Sequence, residues 1–204
     1  MDIKKQFYDN DEKARQSMTM AAIAARRTLI ERWETLALES TGAWEPRAHR
    51  AASLLKGIGS VVDFGCGGMT LERFLPPGTR YLPVDVVRRD SRTVVIDLNE
   101  KLSFDIPAEA AVAIGLLEYL FDVPLFLTHL GHLYPLLVCS YNPADMPGAS
   151  LNRPSHGWVN AFTRTELESI FASCGYCIQE AIQIDDHQML WRLCGESTVS
   201  GRGA

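Results

Sequence analysis

The stretch "SVVDFGCGGMT", residues 60–70, passes from apolar strand to glycine-rich turn within a few residues. Val61 and Val62 read as buried strand, Asp63 stands where that strand ends, and Gly65, Gly67 and Gly68 follow. Glycine permits backbone conformations that side chains forbid, so a small molecule can lie against bare backbone here. A dinucleotide site opens in the same way, with G-x-G-x-x-G/A after a strand. Gly65 and Gly67 fit that pattern, but the third place is Thr70. Asp63 at the mouth of the turn would also oppose a pyrophosphate, which seeks helix N-terminal amides away from carboxylates.

Outward from this turn the chain alternates strand and helix. "RYLPVDV" reads as a second strand, with Pro83 predicting local irregularity because it cannot donate to a ladder. "TVVIDL", "AAVAIGL" and "PLLVCSY" follow as strands, with short helices over 69–75 and 122–132 and Asp122 as an N-cap. Thr163 and Glu166 form a capping box for a helix that runs to about Cys174. "YCIQEAIQI" and "HQMLWRLCG" are joined by too few residues for a parallel crossover, so they predict an antiparallel hairpin. The whole is an α/β chain with a mainly parallel sheet covered on both faces.

Ahead of the first strand, residues 1–57 read as a helical segment. A helix over 11–38 carries an apolar stripe of Ile23, Ile30, Trp33 and Ala37, and a second covers 46–56. Trp33 and Trp44 suit either ordinary packing or a lid over a ligand. Residues 58–195 form the main domain, and 196–204 read as a frayed tail.

Composition narrows the function. The 204 residues are 47% hydrophobic and 22% charged, which fits a globular domain rather than a disordered chain. A net charge of −5 gives no electrostatic case for nucleic acid. The basic stretch Arg88–Arg92 includes Asp90 and reads as a solvated loop. The N-terminal residues are polar with no signal-peptide core, no window is long enough to cross a bilayer, and the five cysteines sit at irregular places; a reduced, cytoplasmic setting is expected. Cys174 and Cys177 make a C-x-x-C without a second ligand pair, and Gly175 marks a helix end between them, so a structural role is expected and no metal site.

In an open α/β sheet, ligands bind at the carboxyl ends of the strands. Those ends here carry Asp63, Asp85, Asp97 and, after the fourth strand, Glu118. Such a crevice suits a ligand that presents donors and positive charge, because ionised carboxylates only accept. S-adenosylmethionine has an ammonium, a ribose diol, an adenine amine and a sulfonium.

At this point "VVDFGCGG", "YLPVDVV", "VVIDLNE" and "AVAIGLLEYLFDVPLFL" resemble, in order and spacing, the class I S-adenosylmethionine-dependent methyltransferases. "HGWVNAFTRTELESIFASCGY" resembles the stretch before and along the late helix of small-molecule members. The resemblance covers about residues 58–194 and departs at Met69, where many members carry a third glycine. It implies a Rossmann-like seven-stranded sheet. It implies that Gly65, Cys66 and Gly67 offer backbone to the methionine part, with Asp63 near the ammonium. Asp85, with Val86 beside it, would accept from the ribose hydroxyls and Asp97 from the adenine amine, with Leu98 at the ring edge. Leu116 to Tyr119, Glu118 included, would border the methionine and the methyl.

An alcohol acceptor needs a base near neutral pKa, and the candidates are His156 and Glu118. His129 and His132 read as surface or packing residues, and His187, at the start of the last strand, as structural. The irregular stretch 142–161, with Tyr141 before it, is too long for a plain connector. Its Asn142, Arg153, His156, Trp158 and Asn160 suit a hydroxylated acceptor, and with Tyr119 they point to a sugar or polysaccharide precursor. Two alternatives stay open: a non-catalytic methyltransferase-like binding subunit, and a nicotinamide-dependent oxidoreductase.

Overall fold

The computed structural model describes residues 7–35, 42–100 and 102–195. Ala37 and the 196–204 tail lie outside the described residues. Seven strands form one sheet: β1 (Ser60–Phe64), β2 (Arg80–Asp85), β3 (Val94–Val95), β4 (Ala110–Ala113), β5 (Leu136–Tyr141), β6 (Tyr176–Gln183) and β7 (Met189–Gly195). The order is β3-β2-β1-β4-β5-β7-β6, and β7 alone runs against the others. β1, β4 and β5 are buried at every position, as parallel strands covered on both faces must be. β6, at the edge, exposes most of its residues.

Among the described residues the helices are α1 (Glu12–Ala25), α2 (Ile30–Glu34), α3 (Glu45–Ser53), α4 (Val123–Leu133) and α5 (Arg164–Ser173). Leu127 of α4 and Phe171 of α5 join Phe64, Tyr134 and Trp191 in the larger core cluster on one face. Ala51 and Ala52 of α3 pack with Leu71, Val61 and Val138 on the other. The expected caps are present: Asp122 accepts from Leu125 N, and Thr163 and Glu166 close a capping box on α5. Gly175 ends α5 in the left-handed region (φ 79°), and Cys174 and Cys177 are free thiols. Among the described residues no helix is long and apolar enough to cross a membrane.

Several expectations are corrected. The helix over 11–38 is two helices, broken where Arg26 turns left-handed (φ 47°). Its buried face is Thr19, Ala22, Leu29 and Arg32, and Ile30 is exposed. The break turns α2 onto the main domain, so the stripe of one continuous helix does not form. β3 is two residues long, and the connection from it to β4 contributes Leu98, Phe104 and Ile106 to the core without a helix. The 70–74 segment is a 3-10 turn rather than an α-helix. β2 runs through Pro83 in unbroken register with β1. The proline nitrogen faces the β3 side, where pairing begins only at Val84, so no ladder bond is lost.

Candidate active site

β1 and β4 are neighbours, yet the chain leaves β1 toward β2 and leaves β4 toward β5. Their carboxyl ends therefore diverge, and a crevice opens there. The cavity has a volume of about 840 Å³ and is walled by the turns after β1, β2, β3 and β4, by the 142–158 loop and by the N-terminal segment.

The turn after β1 is held by β2: Gly65 N and Cys66 N both donate to Val84 O, at 2.8 and 3.0 Å. Gly65 and Gly67 take positive φ of 70° and 51°. A Cβ on Gly65 would stand 3.0 Å from the Leu116 side chain, and one on Gly67 would stand 2.9 Å from the Trp44 ring. Met69, where the sequence departs from a third glycine, is itself left-handed (φ 53°), a conformation that side chains rarely adopt. Burial pushes the Cys66 thiol pKa well up, so that side chain stays protonated.

The four acids converge on the cavity, each in a different state. Asp63 is 2% exposed; Tyr81 Oη donates to its Oδ2 at 2.6 Å, and its Oδ1 has no partner. Burial pushes its pKa up from 3.8 to about 7, against the Tyr81 hydrogen bond, with nearby Asp85 adding to the rise and Arg47 opposing it. Asp97 accepts from Thr28 Oγ1 at 2.8 Å and Asn99 N at 3.0 Å, both on Oδ1. Asp85 is more occupied than a free diol acceptor. Its Oδ2 accepts from Gly67 N at 2.8 Å, and its Oδ1 from Val87 N at 3.0 Å and Arg89 Nη2 at 3.2 Å. Arg89, expected in a solvated loop, is buried against Asp85 and donates to Trp33 O.

Glu118 is fully buried. Its Oε1 accepts from Asn142 N at 3.0 Å and Asn142 Nδ2 at 2.6 Å, while its Oε2 and Asn142 Oδ1 have no partner. Burial raises its pKa, against the pull of Asn142, Arg47 and Arg153.

Sequence reasoning missed Arg47. It projects from α3 into the cavity and its Nε has no hydrogen-bond partner. Burial lowers its pKa, against Glu118, Tyr119, Asp63 and Asp185. Its place is made by Gly115 (φ 68°), where a Cβ would sit 2.7 and 2.8 Å from the two terminal nitrogens. The glycine in "AIGLLEY" was the available signal: a glycine at a strand end marks a close approach.

On the outer side, Val86, Leu98, Tyr119, His156 and Trp158 line the cavity. His156 Nε2 lies 3.0 Å from Ser150 Oγ, and burial with Arg32 and Arg15 lowers its pKa. The Trp158 ring packs on His156 and under Arg153, so its faces already have partners. Asn160 is not brought to the cavity. It donates to Leu117 O and Leu120 O and accepts from Tyr141 Oη, tying the loop to the turn after β4. Arg153 likewise serves the loop, bonding Asn142 O, Asn160 O and Tyr141 Oη. His187, expected to be structural, sits on the cavity rim beside Asp185 and Asp186.

No protein-family model and no curated protein matches this sequence. Solved structures do match in shape. A 1,6-didemethyltoxoflavin N1-methyltransferase of Burkholderia thailandensis, bound to 1,6-didemethyltoxoflavin and S-adenosylhomocysteine, is 18% identical over 77% of this chain and 82% of its own, with a TM-score of 0.59. An N,N-8-amino-8-demethyl-D-riboflavin dimethyltransferase of Streptomyces davawensis is 14% identical over 81% of this chain and 57% of its own, at 0.61. CalO1, a methyltransferase of calicheamicin biosynthesis bound to S-adenosylhomocysteine, is 20% identical over 81% and 56%, at 0.57. This chain spans little more than half the length of the second and third. At these identities the likeness speaks to architecture, and that architecture is the Rossmann-like fold of the class I S-adenosylmethionine-dependent methyltransferases.

Proposed function

We propose that the protein is an S-adenosylmethionine-dependent methyltransferase acting on a small molecule. One observation carries this reading: five buried polar atoms without partners, Arg47 Nε, Asp63 Oδ1, Thr70 Oγ1, Glu118 Oε2 and Asn142 Oδ1, belong to residues that wall one cavity beside the Gly65–Gly67 turn. Buried polar atoms left unpaired cost stability, so a set of them in one cavity marks a place where a ligand completes the bonding. One is a cationic donor, one is a hydroxyl that can donate or accept, and three are amide or carboxyl oxygens. A zwitterion with a carboxylate and an ammonium matches that set; a dinucleotide pyrophosphate does not.

On this reading Arg47 holds the methionine carboxylate, and Asp63 receives the ammonium. Asp97 accepts from the adenine amine with Oδ2, since its Oδ1 is taken. Asp85 has little capacity left for two ribose hydroxyls unless Arg89 gives way, so one hydroxyl is the better assignment. The bound sulfonium supplies an electrophilic methyl. The residues after β4 and on the 142–158 loop orient the acceptor and exclude water, work that can be worth roughly 7–11 kcal/mol. A sugar or polysaccharide-precursor acceptor would rest on the polar residues of the loop. Tyr141, Arg153 and Asn160 bond to one another rather than line the cavity, which weakens that support.

The direct test is calorimetry with S-adenosylmethionine, S-adenosylhomocysteine and NAD, followed by methyl release on extracts. Binding of NAD alone would end this reading, and cofactor binding without turnover on any extract would favour a binding subunit.

Asp63 adds a pH dependence. A carboxyl titrating near 7 in the folded chain keeps its proton between about pH 4 and 7, where the unfolded chain would lose it. Its contribution to stability is therefore full below pH 4 and lost as pH rises through about 7. An ammonium favours the ionised form, so cofactor affinity should rise toward pH 7 and level off above it. Calorimetry in buffers of different ionisation enthalpy should show proton release at pH 6 that is absent in Asp63→Asn. A flat affinity between pH 5 and 8 in the wild type would exclude the ammonium from Asp63.

A further inference from the structure

The outer wall of the cavity holds a second cation. Arg32 of α2 is 8% exposed. Its Nη2 donates to Tyr8 Oη and Tyr119 Oη, each at 3.0 Å, and its Nη1 donates to the carbonyl of His156. Its guanidinium lies 4.6 Å from the Trp33 ring centre and 4.8 Å from that of Phe7. Every one of these partners is neutral, and among the described residues no carboxylate forms an ion pair with it. Aromatic faces attract a cation, but they return only part of what burial takes away.

Tyr119 makes this charge readable from the cavity. Its hydroxyl oxygen accepts from Arg32 Nη2 and, at 3.1 Å, from Trp158 Nε1. A phenol oxygen has two acceptor positions, and both are filled. What remains is the proton, and burial, acting against Arg32, raises the pKa so that the proton stays. Tyr119 therefore faces the cavity as an obligate donor backed by a positive charge with which no carboxylate among the described residues pairs. The group that satisfies both is an oxygen anion. Phe7 and Trp33, also in the cavity wall, favour a flat apolar body over a hydroxylated one.

We propose that the acceptor is an aromatic acid, whose ring carboxylate accepts from Tyr119 and compensates Arg32. This rests on the methyl-transfer reading of the cavity. It replaces a sugar with a different class, because neutral hydroxyls would leave Arg32 uncompensated. It also gives the two cavity arginines different roles, with Arg47 meeting the cofactor's carboxylate and Arg32 the acceptor's.

The test titrates the full chain with salicylate and with salicylamide, its neutral counterpart, with and without saturating S-adenosylhomocysteine. The wild type should bind salicylate at least tenfold tighter than salicylamide. Tyr119→Phe, which keeps the ring, should weaken both by about tenfold through loss of the donor. Arg32→Gln should remove the preference for the charged probe, and its thermal melt shows whether the N-terminal segment still docks. Equal affinity of the wild type for the two probes, no binding of salicylate, or tighter binding of methyl glucoside would each overturn the proposal. If S-adenosylhomocysteine does not bind, the methyl-transfer reading fails, while the probe titrations on the chain alone still report on the anion site.

Discussion

Arg47→Met is expected to weaken S-adenosylhomocysteine binding by about ten- to a hundredfold while the unliganded chain melts at the same or a higher temperature. The two halves of this result have one cause. Without ligand, half-buried Arg47 holds a buried, unpaired Nε and suffers a desolvation that Glu118 and Asp63 offset only at a distance. Replacing an uncompensated buried charge by an apolar side chain of similar length is often neutral or stabilising. With ligand, the same cation stands on the inner wall where it can meet a carboxylate. A hydrogen bond to a charged group contributes about 1.5–3 kcal/mol, and about 1.4 kcal/mol is tenfold in affinity. Calorimetry on the variant, with a melt of each unliganded protein, reads both quantities. If affinity is unchanged, the carboxylate lies elsewhere; if the unliganded variant is markedly less stable, Arg47 is a structural strut. Gly115→Ala should reproduce the binding loss in part, since its methyl would displace the guanidinium.

The strands around the glycine turn were legible because their cause is local. "AAVAIGL" is a nearly continuous apolar run, as a strand covered on both faces should be, and "SVVDF" and "PLLVCSY" are short, mainly apolar segments bounded by turn residues. The hairpin at the end followed from the short connection around Asp185 and Asp186. The caps at Asp122 and Thr163 were legible for the same reason, since a cap is a bond between residues three apart. The failures were tertiary. Nothing local to Arg26 announces a left-handed break; beyond it α2 sets Arg32 and Trp33 against Tyr119, contacts between residues more than eighty positions apart that no local pattern shows. Asp85 was legible as an acceptor at the end of β2, but Arg89, four residues on, was not legible as its partner. A basic loop reads as solvated until a carbonyl from a distant helix, here that of Trp33, turns one of its side chains inward. Arg47 and Arg32 were missed together because each sits among charged helical neighbours, and only the fold shows that these two face a cavity.

The N-terminal segment links the two ends of the site. Thr28 bonds Asp97, Trp33 holds Arg89 beside Asp85, Trp44 covers Gly67, and Arg32 reaches Tyr119 and His156. Asp85 and Asp97, the carboxylates at the outer strands, are thus each tied to this segment, directly or through one residue. The segment is a wall of the cavity rather than a neighbour of it, and substitutions that loosen α2 should disturb cofactor and acceptor sites together.

His156→Ala should leave S-adenosylhomocysteine affinity nearly unchanged and lower turnover by about 10²–10⁴, the usual contribution of a general base. The hypothesis is that His156 takes the proton from the acceptor hydroxyl. Its pKa is lowered from 6.5 by burial and by Arg32 and Arg15, so near neutral pH the imidazole is unprotonated and able to accept. It lines the outer cavity on the same wall as Tyr119, where an acceptor anchored by its carboxylate would bring a neighbouring hydroxyl. Ser150 Oγ at 3.0 Å and the Trp158 ring fix the imidazole, and Arg32 fixes its backbone carbonyl. These constraints set the sign of the pH effect. With S-adenosylmethionine saturating, so that Asp63 does not enter, kcat/KM for the acceptor should rise with pH in the wild type as His156 loses its proton, level off before neutrality, and show no such limb in the variant. Rates of methyl release with salicylate, and with any acceptor recovered from extracts, read this directly. Equal turnover in wild type and variant would remove His156 from the chemistry. Glu118 would then be the remaining base, and its raised pKa and unpartnered Oε2 would move the rising limb to higher pH.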